Sequence, residues 1–274
     1  MKLSIITINK NNAKGLRKTM ESVFSQTYRD FEYIVVDGAS SDDSVRIIKE
    51  FAQKFETGGW NLENFKWISE PDTGVYNAMN KGIKKATGEY LLFLNSGDFF
   101  VSSDVLEKVF SVCNGADILC AQCNVSKEGK KKCTIALPQS ITFGRIYYHG
   151  LPHQSTFIKR SLFDTYGLYR EDFKYNSDVA FWCKVIIDNH VSTQTLDIVT
   201  TDYNLEGISA KEHQSEQYLR EIQQIFAPYN KFTPDYDAMK GSEDDKMWDW
   251  VKCHKYLVLP LEWMYKLAYK VNKR

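Results

Sequence analysis

Four short apolar runs, each followed by a stretch with helical spacing, fill the first hundred or so residues of this chain. That alternation narrows the folds open to it more than any other feature. Residues 3–8 form a run rich in β-branched side chains and read as a strand. Behind it, Leu16, Met20, Val23 and Phe24 recur on one helical face. Tyr33-Ile34-Val35-Val36 lacks polar alternation, as a strand covered on both faces does. Ser41 and Asp42 then supply a cap and a first-turn carboxylate for a helix carrying Val45, Ile48, Phe51 and Phe55. Residues 65–69 make a third strand. Val75, Met79, Ile83 and Ala86 mark the helix after it, stopped by Gly88, and residues 90–94 are the fourth strand. A further helix, capped by Ser103-Asp104, carries Val105, Leu106, Val109 and Phe110.

Strands and helices alternating at this length build a mostly parallel α/β sheet flanked by helices. In such sheets ligands bind beyond the carboxyl ends of the strands. Those ends are Asn9-Lys10, Asp37-Gly38, Glu70-Pro71-Asp72 and Asn95-Ser96-Gly97-Asp98, and three of the four carry carboxylates. After about residue 115 the pattern loosens. Residues 117–125, 132–137, 156–159 and 198–203 read as shorter strands, with turns and one helix (Val179, Trp182, Val185, Ile186) between them. From residue 212 the chain is helix-like with breaks at Pro228, Pro234 and Pro260, and residues 241–245 are a polar loop.

Composition bounds the function. The 274 residues, 43% hydrophobic and 26% charged, are those of a soluble globular protein of one large or two modest domains. Lys+Arg and Asp+Glu balance at 35 each, so nucleic acid is not an expected partner. The first apolar run is too short for a signal peptide and no 18-residue apolar window occurs, which points to the cytoplasm. Cys120-x-x-Cys123, with Cys113 and Cys133 nearby, lacks the second paired knuckle of structural zinc and reads as buried free thiols. Neither GxGxxG nor GxxxxGK[ST] occurs, so dinucleotide and P-loop phosphate cradles are missing.

Taken alone, Asp98 is either a ligand for a hard divalent cation or one polar residue of a turn. Asp37 can accept hydrogen bonds from a base or ribose; capping explains Asp42 but leaves Asp37 unexplained. Asp178, at the start of a helix, is either a plain cap or a carboxylate aimed into a cleft.

Several motifs together resemble family-2 glycosyltransferases of the GT-A fold, in the branch of colanic-acid and capsular polysaccharide transferases. They are Ser4-Ile5-Ile6-Thr7-Ile8-Asn9, Tyr33-Ile34-Val35-Val36-Asp37-Gly38-Ala39-Ser40-Ser41-Asp42, the run from Ser69-Glu70-Pro71-Asp72 through Asn80-Lys81-Gly82-Ile83, Asn95-Ser96-Gly97-Asp98, Pro152-His153-Gln154-Ser155-Thr156-Phe157, and Ser177-Asp178. The resemblance covers roughly residues 1–210. It implies a transferase domain over 1–215, with a nucleotide-binding half (1–115) and an acceptor half (116–215), followed by a helical extension (216–274).

The resemblance also implies roles. Asp37, with Thr7 and Asn9, would contact the donor nucleoside, and Asp72 lies in the loop that closes on the donor. Asn80, Asn95 and Ser96 complete the expected donor-binding set. The segment 95–98 occupies the place of the DxD-type metal motif but keeps one carboxylate, Asp98, because Asn95 and Gly97 replace two aspartates. Asp98 and His153 are the expected ligands for Mg²⁺ or Mn²⁺. Asp178 falls where the family has its catalytic base. The implied activity is inverting transfer of a sugar from a nucleotide-diphosphate donor, UDP-sugar favoured, to a glycan or lipid-linked glycan hydroxyl in polysaccharide synthesis. A non-catalytic sugar-nucleotide-binding module is the alternative; a nucleotidyltransferase would need a glycine-rich basic loop that residues 9–18 lack. His213 follows a segment that is a mobile loop in related enzymes. Residues 252–274 carry six basic residues against the single acid Glu262 among aromatic and aliphatic side chains. They suit either a peripheral contact with the inner membrane face or a packed terminal helix.

Overall fold

Strand β1 (Leu3–Asn9) is buried at every position and lies parallel between β2 (Phe31–Asp37) and β4 (Tyr90–Phe93). Strand β3 (Phe65–Ser69) continues the parallel half on the far side of β2. The structure, a computed structural model, describes residues 2–57, 62–127, 129–205 and 215–230. His213, the polar loop at 241–245 and the basic stretch at 252–274 therefore lie outside the described residues.

Beyond β4 the sheet changes character. Strand β8 (Thr156–Lys159) runs antiparallel to β4 and to β6 (Ile118–Lys127), β6 pairs parallel with β9 (Thr193–Asn204), and the short β5 (Phe99–Phe100) closes that end against β9. Strand β7 (Lys130–Ile135) is a hairpin partner of β6. The sheet is parallel over its first half and mixed over its second. The order β3-β2-β1-β4-β8-β6-β9-β5 brings both halves into one surface.

Helices α1 (Ala13–Phe24), α2 (Ser44–Thr57) and α4 (Val105–Val112) cover one face, packing Leu16, Met20, Phe51 and Leu106 on Ile5, Tyr33, Leu92 and Phe157. Helix α3 (Val75–Lys85) covers the other. Its Gly82 lies so close to the sheet that an added Cβ would fall 2.4 Å from Ile6 Cγ2. Phe93 on this face meets Phe163 and Tyr169, and Phe163 stacks on Phe181 with centroids 4.5 Å apart.

The acceptor half holds three helices where sequence spacing showed one: α5 (Phe143–His149), α6 (Arg160–Tyr166) and α7 (Ser177–Trp182), the last continuing as a π-turn over Cys183–Asp188. Helices of six or seven residues span too few turns to display a 3.6-residue period. Helix α8 (Glu216–Phe226) begins the expected C-terminal extension, yet one compact unit runs from Met1 to Ile225 and the second from Phe226 to Arg274. Cys120 and Cys123 are buried free thiols, pushed up to about 12 and about 11 by burial. Among the described residues no helix is long and apolar enough to cross a membrane.

Candidate active site

The strand register sets the donor-side residues in a row: Asn9 opposite Asp37, and Asp37 opposite Ser69. Asp37 is fully buried, with four donors on its carboxylate. Oδ1 accepts from Asn9 Nδ2 (2.8 Å) and Ser40 Oγ (2.6 Å), and Oδ2 from Ser69 Oγ (2.7 Å) and the Ser40 N–H (2.9 Å). Burial pushes the group up, but these hydrogen bonds outweigh it and hold it below the usual carboxylate range. Asp37, expected to touch the nucleoside, is thus occupied within the protein, where it ties β1, β2 and β3 to the 38–42 loop. The oxygen left over is Asn9 Oδ1, buried and without a partner. The loop is stitched to the first turn of α1 by Asn11 Oδ1 accepting from the Ser41 N–H and Asp42 accepting from the Ala13 N–H. It carries Ala39 at φ 55°, a strained conformation for a residue with a Cβ.

Asp72 closes over this edge. Its Oδ2 would lie 2.2 Å from a Cβ added at Gly38, so a side chain there would displace the Asp72 carboxylate. Two expected donor residues turn inward. Thr7 is buried, donating to the Leu94 carbonyl (2.7 Å) and accepting from Tyr33 (3.0 Å). Asn80 Nδ2 donates to the Tyr169 carbonyl and to Glu171, both at 2.9 Å, while its Oδ1 accepts from the Tyr169 N–H. Both side chains hold elements together, each of their polar side-chain atoms having an internal partner.

The turn after β4 is anchored from α1. Asn12 Nδ2 donates to the Ser96 carbonyl, and Thr19 Oγ1 accepts from the Gly97 N–H and donates to the Asp98 carbonyl. Gly97 has φ 109°, which explains a glycine where the DxD-type motif has an acid. Asp98 is 5% exposed, and its Oδ1 accepts from the Asn204 N–H at 3.0 Å. Burial pushes Asp98 up to about 7, opposed chiefly by the Asn204 N–H.

His153 sits in a 3₁₀ turn (His153–Ser155) just before β8. Its Nε2 is 3.1 Å from Asn95 Nδ2 and its Nδ1 is 3.4 Å from Asp178 Oδ2. With the Asn95 amide oriented to donate to Nε2, the ring proton sits on Nδ1, directed at the carboxylate. Both ring nitrogens thus have polar neighbours within the protein. Asn95 keeps an unpaired buried acceptor, Oδ1.

Asp178 lies in the first turn of α7. Its Oδ1 accepts from Tyr76 Oη and the Val179 N–H, both at 2.9 Å, while Oδ2 has only the long contact to His153. The single Tyr76 O–H is shared between Asp178 and the Tyr175 carbonyl at 2.7 Å, and the phenol is pushed well above its ordinary value by burial and by the neighbouring Asp178 charge. The turn that presents α7 is held from α8. Glu221, 4% exposed, accepts from the N–H groups of Lys174 (2.7 Å), Tyr175 (3.0 Å) and Asn176 (3.1 Å). Tyr76 and Glu221 were not singled out in the sequence. Tyr76 stands beside the apolar stripe of α3 and passes for core, and Glu221 is one acid among many on a polar helix. A hollow of about 210 Å³ walled by Gly74, Asn77, Glu171, Phe173 and Gln217 shares Tyr76 with this network and none of the expected site residues.

A parallel half-sheet bearing a polar edge, joined through a short turn to a mixed half that supplies an isolated carboxylate, is the layout of the GT-A fold. The model of glycosyl transferase family 2 matches residues 4–174, and the chain belongs to that family of glycosyltransferases. It is 33% identical over 183 residues to a glycosyltransferase of Mycobacterium tuberculosis, named as uncharacterized, covering 65% of this chain and 66% of that protein. It is 27% identical over 228 residues, 80% of this chain and 83% of the other, to a PGL/p-HBAD biosynthesis glycosyltransferase of Mycobacterium bovis. S. aureus TarS 1–349, solved in complex with UDP-GlcNAc, superposes with a TM-score of 0.64 at 21% identity, covering 83% of this chain and 66% of that one. The mannosyltransferase PcManGT of Pyrobaculum calidifontis, solved with GDP-Man and Mn²⁺, gives 0.61 at 16% identity, covering 84% and 64%. At these identities the two solved structures speak for the fold.

Proposed function

We propose that this chain transfers one sugar, with inversion, from a nucleotide-diphosphate donor, UDP-sugar favoured, to a hydroxyl of a glycan or lipid-linked glycan. The observation that carries this reading is His153 spanning from Asn95, on the donor side, to Asp178, on the acceptor side. It brings a base and a donor-binding turn into one constellation. The sugar nucleotides in the TarS and PcManGT complexes support the donor class.

The chemistry follows from the groups present. Asp178 Oδ2, the less occupied oxygen, takes the proton of the acceptor hydroxyl as that oxygen bonds to the anomeric carbon. The bond from that carbon to the diphosphate breaks, and its electron pair leaves with the nucleoside diphosphate. Tyr76 and the Val179 N–H hold Oδ1 and so aim the carboxylate, and alignment of both substrates supplies much of the remaining acceleration. On the donor side, Asn9 Oδ1 offers an acceptor to a base N–H.

Two oxygens fit a hard divalent cation: the Asp98 carboxylate, whose ionisation burial disfavours, and the orphaned Asn95 Oδ1. Among the described residues no three His, Cys, Asp or Glu side chains converge on a metal position. Mg²⁺ is commonly held by one or two carboxylates together with substrate phosphates, and Asp98 suits that arrangement. Bound there, Mg²⁺ or Mn²⁺ would neutralise charge on the departing diphosphate.

Asp178→Asn is expected to lower transfer by roughly 10²–10⁴-fold, with donor affinity by calorimetry unchanged; a variant keeping most of its turnover would remove Asp178 as base. Asp98→Ala is expected to abolish the dependence of donor binding on Mn²⁺. An intact Mn²⁺ response in that variant would move the cation elsewhere.

A further inference from the structure

The hollow of about 210 Å³ beside Tyr76 has no part in the reading above. Three segments wall it: the first turn of α3, the turn at 171–174 and the start of α8, through Tyr76, Asn77, Glu171, Asp172, Phe173 and Gln217. Hydrogen bonds tie these segments together. Asn77 Nδ2 donates to Glu171 Oε2 at 2.8 Å, and Glu171 Oε1 accepts from Asn80 Nδ2 at 2.9 Å. Gln217 Nε2 donates to Glu221 Oε1 at 3.2 Å, and the same oxygen accepts from the Lys174 N–H at 2.7 Å. The hollow is therefore formed in advance, and a ligand entering it does not have to order its walls.

Its position ties it to the proposed reaction. Tyr76 is the wall it shares with the Asp178 network, and the phenol O–H lies 2.9 Å from Asp178 Oδ1. At the other rim the Gly74 N–H donates to Asp72 Oδ1 at 3.1 Å, and Asp72 is the residue that closes on Gly38. The hollow thus lies between the loop over the donor edge and the turn that leads to Asp178. Size and charge limit what can enter. It is smaller than the roughly 300–1,000 Å³ of sites for drug-sized ligands, so it takes one ring and not a nucleotide. Its carboxylates repel an anion and are already met by protein groups, Glu171 by two amides and Asp172 by Arg170. A carboxylate has about four lone-pair positions, and these partners leave some of them open to neutral hydroxyl donors.

We propose that this hollow binds one neutral sugar residue of the acceptor, next to the residue whose hydroxyl reacts at Asp178. Its hydroxyls donate to Glu171 and Asp172, and its apolar C–H face lies against Tyr76 and Phe173. The inference rests on the transferase reading for its assignment to the acceptor, while the sugar site itself stands on the hollow and its walls.

Calorimetry on the full chain tests it with three neutral sugars, methyl β-D-glucoside, methyl α-D-mannoside and methyl N-acetyl-β-D-glucosaminide, and with the anionic methyl β-D-glucuronide. At least one neutral sugar is expected to bind the wild type with a Kd of about 1 mM, several-fold tighter than the glucuronide and with no loss of affinity when UDP or GDP saturates the protein. Gln217 is exposed at the start of α8, so Gln217→Trp can fill the hollow without entering the core; it is expected to weaken neutral-sugar binding about tenfold or more. The absence of neutral-sugar binding, equal binding of the glucuronide, competition by the nucleotide, or unaltered binding in Gln217→Trp overturns the proposal. If Gln217→Trp does not fold, Glu171→Ala decides: several-fold weaker sugar binding supports the site, and unchanged binding overturns it. UDP and GDP binding by the wild type is measured alongside. Nucleotide binding without sugar binding sinks only the hollow as a sugar site; sugar binding without nucleotide binding sinks only the transferase reading.

Discussion

Asp178 and Asp37 show how differently two carboxylates at strand and helix ends can be used. Asp37 has all four of its acceptor positions filled by protein donors, so its work is to shape a loop. Asp178 has one oxygen held and the other loosely engaged, which suits the proton exchange proposed for it. Tyr76 supplies the hold. Tyr76→Phe removes one O–H donor from the carboxylate while leaving the ring packed on Tyr169. Turnover is expected to fall roughly tenfold with donor affinity unchanged, since one charge-assisted hydrogen bond is of that order. Steady-state kinetics beside donor calorimetry would show it, and equal turnover would reduce Tyr76 to a packing residue.

At the scale of elements, the site depends on pieces distant in sequence meeting at one edge. The start of α7 follows a turn whose three consecutive N–H groups converge on Glu221 from α8. Glu221→Ala leaves those donors unpaired in a buried position, at about 1–3 kcal/mol. It is expected to lower the urea midpoint and to lower turnover through Asp178, while Glu221→Gln, which keeps one acceptor oxygen, recovers part of both. If Glu221→Ala loses stability but keeps full turnover, α7 is positioned by its own packing. The parallel half was legible nearly to single residues: β3 coincides with the predicted segment, as β8 does in the mixed half, and α3 ends at Lys85, one residue short of Ala86, while Gly88 lies against the backbone of β1 and does not cap the helix. Helices α5 and α6 were not legible, because each is seven residues long and defined by a cap and its neighbours rather than by period.

Over the whole molecule, carboxylates of opposite tendency set the response to pH. Burial pushes Glu32 and Asp117 up, but Lys66, Ser4 and Thr87 outweigh it at Glu32, and Ser192 and Lys159 at Asp117; both are held low, as is Asp37. Their stabilisation is present above the unfolded value near 4 and is lost as pH falls through the lower folded values. Asp98 works the other way. Folded, it keeps its proton up to about 7, so stability falls as pH rises from about 4 to that point. The thermal midpoint of protein in EDTA is expected to peak near pH 5 and decline toward neutrality, with Mn²⁺ or Asp98→Asn flattening the decline. Superimposable curves for wild type and Asp98→Asn would show that Asp98 ionises freely in the fold.

The alternation of apolar runs and amphipathic stretches by itself determined the layered α/β architecture, since hydrophobic period and turn chemistry are local properties of the chain, and the resemblance to the family was carried by the motifs at the strand ends. It also determined which polar residues reach the ends of the strands. Only the tertiary structure decided what those residues do there. Thr7, Asp37 and Asn80 proved to be internal fasteners, while Asn9 and Asn95 were left with unpaired atoms. Whether a polar atom is available to a ligand depends on which donors and acceptors from remote segments arrive beside it, and that pairing is settled only when the whole sheet closes.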